Sequence, residues 1–367
     1  MILSLQVLRA FCFCGVFLSH CKIFVFNSAG SWAVSVFFVM SGFLLSVRHG
    51  TESFRRGGAF VWQHIRKVYL LHFLMTIVAG CWIVFFAYPI NLKTIADLLI
   101  QLLLNMTLMQ SWVPIGRYYF SFNWVSWFLS SLMFCYFMYP LIARQVCTIR
   151  TFNGFALSFA FVVLTMVVAT LVGSQLLPQL MARFTLLRHY AGNTNLAHWY
   201  TYVCPAYRIG DFVCGCLLGQ MFQISHVRFT HVLDRLSVGL LAVMGVFALW
   251  QVNNIFSSGI FEWIKYDLFW LPFSCILVYL VAMIEVKENN VMFVLLWLGK
   301  VSGYAYLMHR MILLFTTIVF GYDEITAKSA PIWDKVMISI VAFCLTSIFS
   351  WIVLAIKRRN VACHLSR

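Results

Sequence analysis

The chain has 367 residues, 62% of them hydrophobic and only 10% charged, and its mean hydropathy is +0.89. A soluble globular protein carries about 25% charged residues, so the composition excludes that class and points to a polytopic helical membrane protein whose spans satisfy their own backbone hydrogen bonds. The net charge of +15 does not indicate a nucleic-acid partner, because most Lys and Arg fall in short stretches between apolar runs, where they orient a chain in a bilayer.

The first apolar segment, 3–25, carries Arg9 and His20 inside it. An ionisable group in hydrocarbon costs roughly 3 kcal/mol or more on insertion scales. At about 100° per residue the two lie close to three whole turns apart, so they share one face, about 16 Å apart along the axis. A buried polar pair satisfied by neighbouring helices is one reading. A functional pair is the other, and intramembrane ionisable residues favour it. The run is too long, and lacks the preceding basic region, for a cleaved signal peptide.

A second span, 32–47, contains the small pair Ser41-Gly42, where another helix or a ligand can approach closely. A basic loop, 48–67, follows with Arg48, Arg55, Arg56, Arg66 and Lys67. The third span is 68–87. The segment 92–109 is interrupted by Lys93, Asp97, Gln101 and Asn105. Then come 124–143, 152–172, a longer polar stretch 174–207, and spans at 208–223, 237–255, 267–284, 302–320 and 335–356. In 124–143, Trp124 and Trp127 read as interfacial aromatics, followed by Ser130, Tyr136, Tyr139 and Pro140. Arg208 and Asp211 are three apart, a spacing that pairs on a helix as a structural or a catalytic couple. Ser302, Tyr306 and His309 share one face of the next-to-last span and should face a cavity rather than lipid.

Charge bias places the 48–67 loop inside, with the tail Lys357, Arg358, Arg359 and Arg367. Both termini are then cytoplasmic, which needs an even number of crossings. With 92–109 interfacial rather than spanning, Arg144, Arg150, Arg228 and Arg235 fall inside, and 174–207 and the Asp323–Glu324 loop fall outside. The expected fold is therefore an all-α transmembrane bundle of about ten spans forming a single domain. No internal repeat or soluble domain interrupts it. The twelve cysteines lack zinc-ligand or paired-disulfide spacing and read as small core residues; no metal is expected.

Taken together and in order, these motifs resemble the integral membrane acyltransferase family 3, which includes O-acetyltransferases of bacterial surface polysaccharides. Arg9 and His20, with ten residues between them, resemble its first-span signature. The run Phe37-Phe38-Val39-Met40-Ser41-Gly42-Phe43 resembles its second-span motif. The 127–140, 205–215 and 302–309 segments resemble its Trp-Ser-Leu-Ser-x-Glu…Tyr…Pro, Arg-x-x-Glu-Phe-x-x-Gly and Ser-Tyr-x-x-Tyr-Leu-x-His segments. Leu132 stands at the usual glutamate, so no carboxylate there orients His20. Phe128 replaces the first serine of that run, Leu70 a proline, and Asp211 a glutamate.

The resemblance implies transfer of an acyl group, most simply acetyl, from cytoplasmic acyl-CoA (acetyl-CoA as co-substrate, with no permanently bound cofactor) to a hydroxyl of a cell-surface or lipid-linked glycan, in a bacterial cytoplasmic (inner) membrane. CoA phosphates want Arg and Lys near the inner face, where His64, Arg66, Lys67, Arg55, Arg56 and Arg9 lie. His20, in the outer half, is the candidate base or transient acyl carrier. Ser302, Tyr306 and His309 are candidate oxyanion donors, with Ser41, Gly42, Trp127, Ser130, Arg208 and Asp211 supporting the site. A transporter or flippase of a lipid-linked sugar would also have about ten spans and buried midplane charges, but the chain has no duplicated half. A nonenzymatic sensor is the third class.

Overall fold

A helical chain in a bilayer must turn apolar side chains outward and keep its polar ones inside. The computed structural model follows that rule. It describes residues 2–21, 23, 29–50, 52–84, 92–183, 195–225, 232–255, 259–286, 289–323 and 326–365. Arg228, Glu324 and Arg367 lie outside the described residues, as do the side chains of Arg55, Arg56, Arg235 and Arg358.

The long helices among the described residues are α1 (Leu3–His20), α2 (Ala29–His49), α3 (Glu52–Trp82), α4 (Leu92–Met106), α5 (Trp127–Val146), α6 (Phe152–Arg183), α7 (Pro205–Ser225), α8 (Val232–Ile255), α9 (Leu271–Met283), α10 (Asn290–Val319) and α11 (Ile332–Leu365). Among the described residues, six apolar stretches are long enough to cross a membrane: Leu3–His20, Gly30–His49, Gly58–Trp82, Trp124–Val146, Phe152–Arg183 and Ile332–Lys357. That is fewer than the ten expected; the side chains of α8 are described mainly over 236–247, and the other helices fall short for physical reasons. At 1.5 Å per residue, α7 and α10 reach about 31 and 45 Å, but Arg208, Asp211, Ser302 and His309 lower their hydropathy, and those side chains are buried in the bundle. Neither α4 nor α9, at about 22 and 20 Å, matches a hydrocarbon core of about 30 Å. Around the bundle, Leu70, Leu103, Phe137, Leu157, Phe161 and Val243 stand exposed, a display that water would not tolerate and lipid does.

Helix α2 sits at the centre, packed on α7, α1 and α9; α10 joins α1 to α11, and α5 joins α7 to α3. The α2–α7 crossing rests on glycine. A Cβ on Gly42 would collide with the Phe212 carbonyl oxygen, and one on Gly215 with the Val39 carbonyl oxygen. The two backbones therefore touch, the close approach that small residues permit. Tyr139 ties α5 to the same layer by donating to the Leu45 carbonyl at 2.8 Å.

The segment expected as a basic loop, 48–67, is mostly helix: α3 begins at Glu52 and runs 31 residues without a break. Arg48 lies in the last turn of α2, and Arg66 and Lys67 lie in the middle of α3. The polar stretch 174–207 is likewise helical as far as Arg183, and residues 184–194 are not described.

Candidate active site

Helix α1 is continuous from Leu3 to His20, so the spacing expected of Arg9 and His20 holds. They belong to two different groups of side chains. At the far end, His20 meets His309 of α10, with ring centroids 5.2 Å apart and 44° between the planes. His309 is fully buried. Its Nδ1 lies 2.8 Å from the Tyr306 carbonyl. A carbonyl only accepts, so Nδ1 carries the proton and neutral His309 presents a bare Nε2. That Nε2 has no protein partner. Phe13 and Phe17 flank the ring at 6.0 and 6.1 Å, and Tyr306 at 5.8 Å. His20 opens onto a cavity of about 20 Å³, lined also by Arg310, Thr317 and Lys335, room for about one water.

Arg9 lies with the basic end instead. It is half-buried, within electrostatic reach of Tyr136, and no carboxylate pairs with it among the described residues. The Tyr136 ring is tilted 57° to that of His64, 5.4 Å away between centroids, and its hydroxyl lies near Ser41. The Nδ1 of His64 donates to the Phe60 carbonyl at 2.8 Å, and its ring stands near Lys67 and Arg48. Around Lys67 gather Arg48, Lys357 and Arg66. Lys357 of α11 donates to the Lys67 carbonyl at 2.9 Å and to the Tyr304 hydroxyl at 3.2 Å. Tyr136 and Lys357 were not singled out from the sequence as site residues. The signal for Lys357 was masked by its place in a terminal basic run that topology alone explains.

The supporting residues separate by role. Ser41 donates to the Phe37 carbonyl at 2.7 Å, and Gly42 is a packing glycine. Trp127 is buried against Tyr202, ring centroids 4.7 Å apart, so it is no interfacial aromatic; Trp124, 44% exposed, is the outward one. Ser130 donates to the Leu108 carbonyl at 2.6 Å, fastening the 107–112 turn to α5. Ser302 spends its hydroxyl on the Gly299 carbonyl at 2.9 Å. It lies about 10 Å down the axis from His309, so the structure does not gather it with the histidines. Arg208 pairs with Asp211 at 2.8 Å and, more tightly, with Asp267, all three side chains fully buried. Asp267, unseen from sequence as a partner, precedes α9. The guanidinium also faces the Phe38 ring at 4.6 Å. The three side chains form one buried cluster.

A family model described as an acyltransferase domain, that of acyltransferase family 3, matches residues 2–355. The chain is 33% identical over 125 residues to the acyltransferase MdmB of Streptomyces mycarofaciens, a match covering 33% of this chain and 30% of that relative. The chain thus spans under a third of the length of the curated relative it matches. No solved structure matches. With nearly its whole length inside the family's domain, the chain belongs to acyltransferase family 3.

Proposed function

We propose that the protein moves an acyl group, acetyl in the simplest case, from acyl-CoA held at the basic end to a hydroxyl presented at the His20 end, the acceptor being a surface or lipid-linked glycan. The observation that carries the reading is the imidazole pair. His20 lies against a buried His309 whose Nε2 has no partner, beside a water-sized cavity. An unpartnered buried acceptor costs stability and makes sense where His20, once it holds the substrate proton, donates to it.

In this scheme His20 takes the proton of the acceptor hydroxyl while its oxygen attacks the thioester carbonyl. A C–O bond forms, the C–S bond breaks, and the proton passes to the departing CoA sulfur. His309, supplying a fixed acceptor nitrogen, does what the absent carboxylate at Leu132 does not. Arg66, Lys67, Arg48, Lys357 and His64 meet the CoA phosphates, with Arg9 reaching inward from them. The same reading takes about ten crossings, both termini in the cytoplasm, 174–207 outside, and a bacterial cytoplasmic membrane.

The test uses the purified full chain in detergent with acetyl-CoA, following free thiol release. Release that is saturable in acetyl-CoA and lost in His20→Ala, with acetyl-CoA binding retained, is the expected result. A protein that binds no acetyl-CoA, or releases thiol equally with and without His20, overturns it.

A further inference from the structure

Beyond the histidine pair, the ends of α3 and α4, the 116–124 segment and α10 enclose a cavity of about 830 Å³. That is within the roughly 300–1,000 Å³ of small-molecule sites. Its floor is apolar, made by Ala79, Ile83, Phe122 and Met311. One wall is polar and ordered. Asp97 Oδ1 accepts from the Tyr118 hydroxyl at 2.9 Å, and Oδ2 accepts from Gln101 at 2.6 Å and from Arg117. Trp82, Phe120 and Trp124 add aromatic surface, with the Arg310 guanidinium 4.8 Å above the Trp124 ring.

Two facts decide what fits. First, Arg310 and Leu314 line both this cavity and the small one at His20, so the two share a wall about one helical turn long. Second, the Asp97 carboxylate is already met by Arg117, Gln101 and Tyr118, a fixed set of donors and acceptors along one wall. An acyl chain would leave this network facing hydrocarbon. Aromatic faces beside adjacent donors and acceptors suit a sugar ring, whose C–H face lies on the rings and whose hydroxyls bond the wall.

The geometry points to this cavity as the acceptor site, taking a pyranose ring against its aromatic faces and directing one hydroxyl past Arg310 toward His20. The inference rests on the proposed acyl transfer and names the class and place of its acceptor. Asp97 and Gln101 bind the ring; Arg310 is a positioning residue between the two cavities.

The experiment compares the unmodified protein with Ala96→Trp and Ile100→Trp in detergent, with acetyl-CoA as donor. Ala96 and Ile100 line the cavity from exposed helical positions, so the larger side chains fill the space without repacking the core. Methyl glycosides of glucose, galactose, mannose and rhamnose are the acceptor probes, and glycerol is the open-chain control. Glycoside-dependent thiol release is read alongside the slow release without glycoside. In both variants the KM for the glycoside should rise about tenfold or more, with the KM for acetyl-CoA and the glycoside-independent release unchanged. That unchanged donor chemistry also reports that the variants are folded. Glycoside KM values equal to those of the unmodified protein, or glycerol serving as well as the glycosides, overturn the site. Thiol release that no glycoside stimulates overturns the sugar class and leaves acyl transfer standing. No release and no acetyl-CoA binding from the unmodified protein defeat the proposed function itself, and this inference with it.

Discussion

Two clusters of buried polar side chains lie inside the bundle and differ in one respect. Arg208, Asp211 and Asp267 are fully buried ions of opposite sign, two carboxylates meeting one guanidinium with the Phe38 ring over it. His20 and His309 are imidazoles packed on each other, and His20 opens onto a cavity. A sealed ion cluster holds a fold in one arrangement, whereas a pair beside a cavity has a place for a substrate atom. The sequence marks both clusters equally, as ionisable residues in apolar runs. Access to a cavity is what distinguishes them in the structure.

The largest expected effect breaks the open pair. His20→Ala should lower acyl transfer by about 10²–10⁴-fold, the usual cost of removing a general base, with acyl-CoA binding and folded yield kept. Transfer within a few-fold of the unmodified protein would make His20 a packed core histidine and shift the role to His309. Next comes the sealed cluster. Arg208→Met leaves two facing carboxylates buried, and should cost about 3–5 kcal/mol of stability, seen as lost folded protein in detergent. Arg208→Met, Asp211→Leu and Asp267→Leu combined should recover much of it, since well-packed apolar replacements of buried ion groups are often neutral. A single variant that folds normally but cannot turn over would instead put this cluster in the chemistry.

Smaller effects belong to the basic end. Arg66→Ala or Lys67→Ala should raise the acyl-CoA dissociation constant about tenfold to hundredfold, the range for charge-assisted hydrogen bonds. Unchanged affinity in both reduces these residues to topology signals. The smallest concerns His198, in the short helix Leu196–His198. It lies among Tyr202 and Tyr266, each 4.9 Å away between ring centroids, and burial pushes it down to about 4, with Lys265 adding to the shift. Its folded value is below the unfolded one near 6.5. The unfolded chain therefore binds the proton first, and the contribution of His198 to stability is full above about pH 6.5 and drains away toward pH 4. Thermal unfolding from pH 7 to 4.5 should fall less steeply in His198→Phe than in the unmodified protein; parallel curves would remove the effect.

Much of this was legible from the chain alone. Each of the eleven apolar segments falls on a helix among the described residues, and the continuity of α1 sets Arg9 and His20 on a common face. The five ordered motifs identified the family. What stayed hidden was tertiary. Asp267 completes the Arg208 cluster from 56 positions beyond Asp211, and no local period relates them. Arg9 joins His64 through Tyr136, a residue of another helix. The 48–67 segment misled because its basic residues and glycines look like a loop, whereas packing of α3 on α5 and α10 supports helix from Glu52 onward. Trp127 misled because a tryptophan near a span's end has the same signature whether it faces lipid or the core.

The bare contact of α2 against α7 has a consequence for the register of the bundle. Where two backbones meet at Gly42 and Gly215, no layer of side chains remains to slip, and a shift of even part of a turn would drive a carbonyl into a Cα. Helices α2 and α7 are therefore keyed to each other at this crossing, and α1, α5 and α9 pack on the pair.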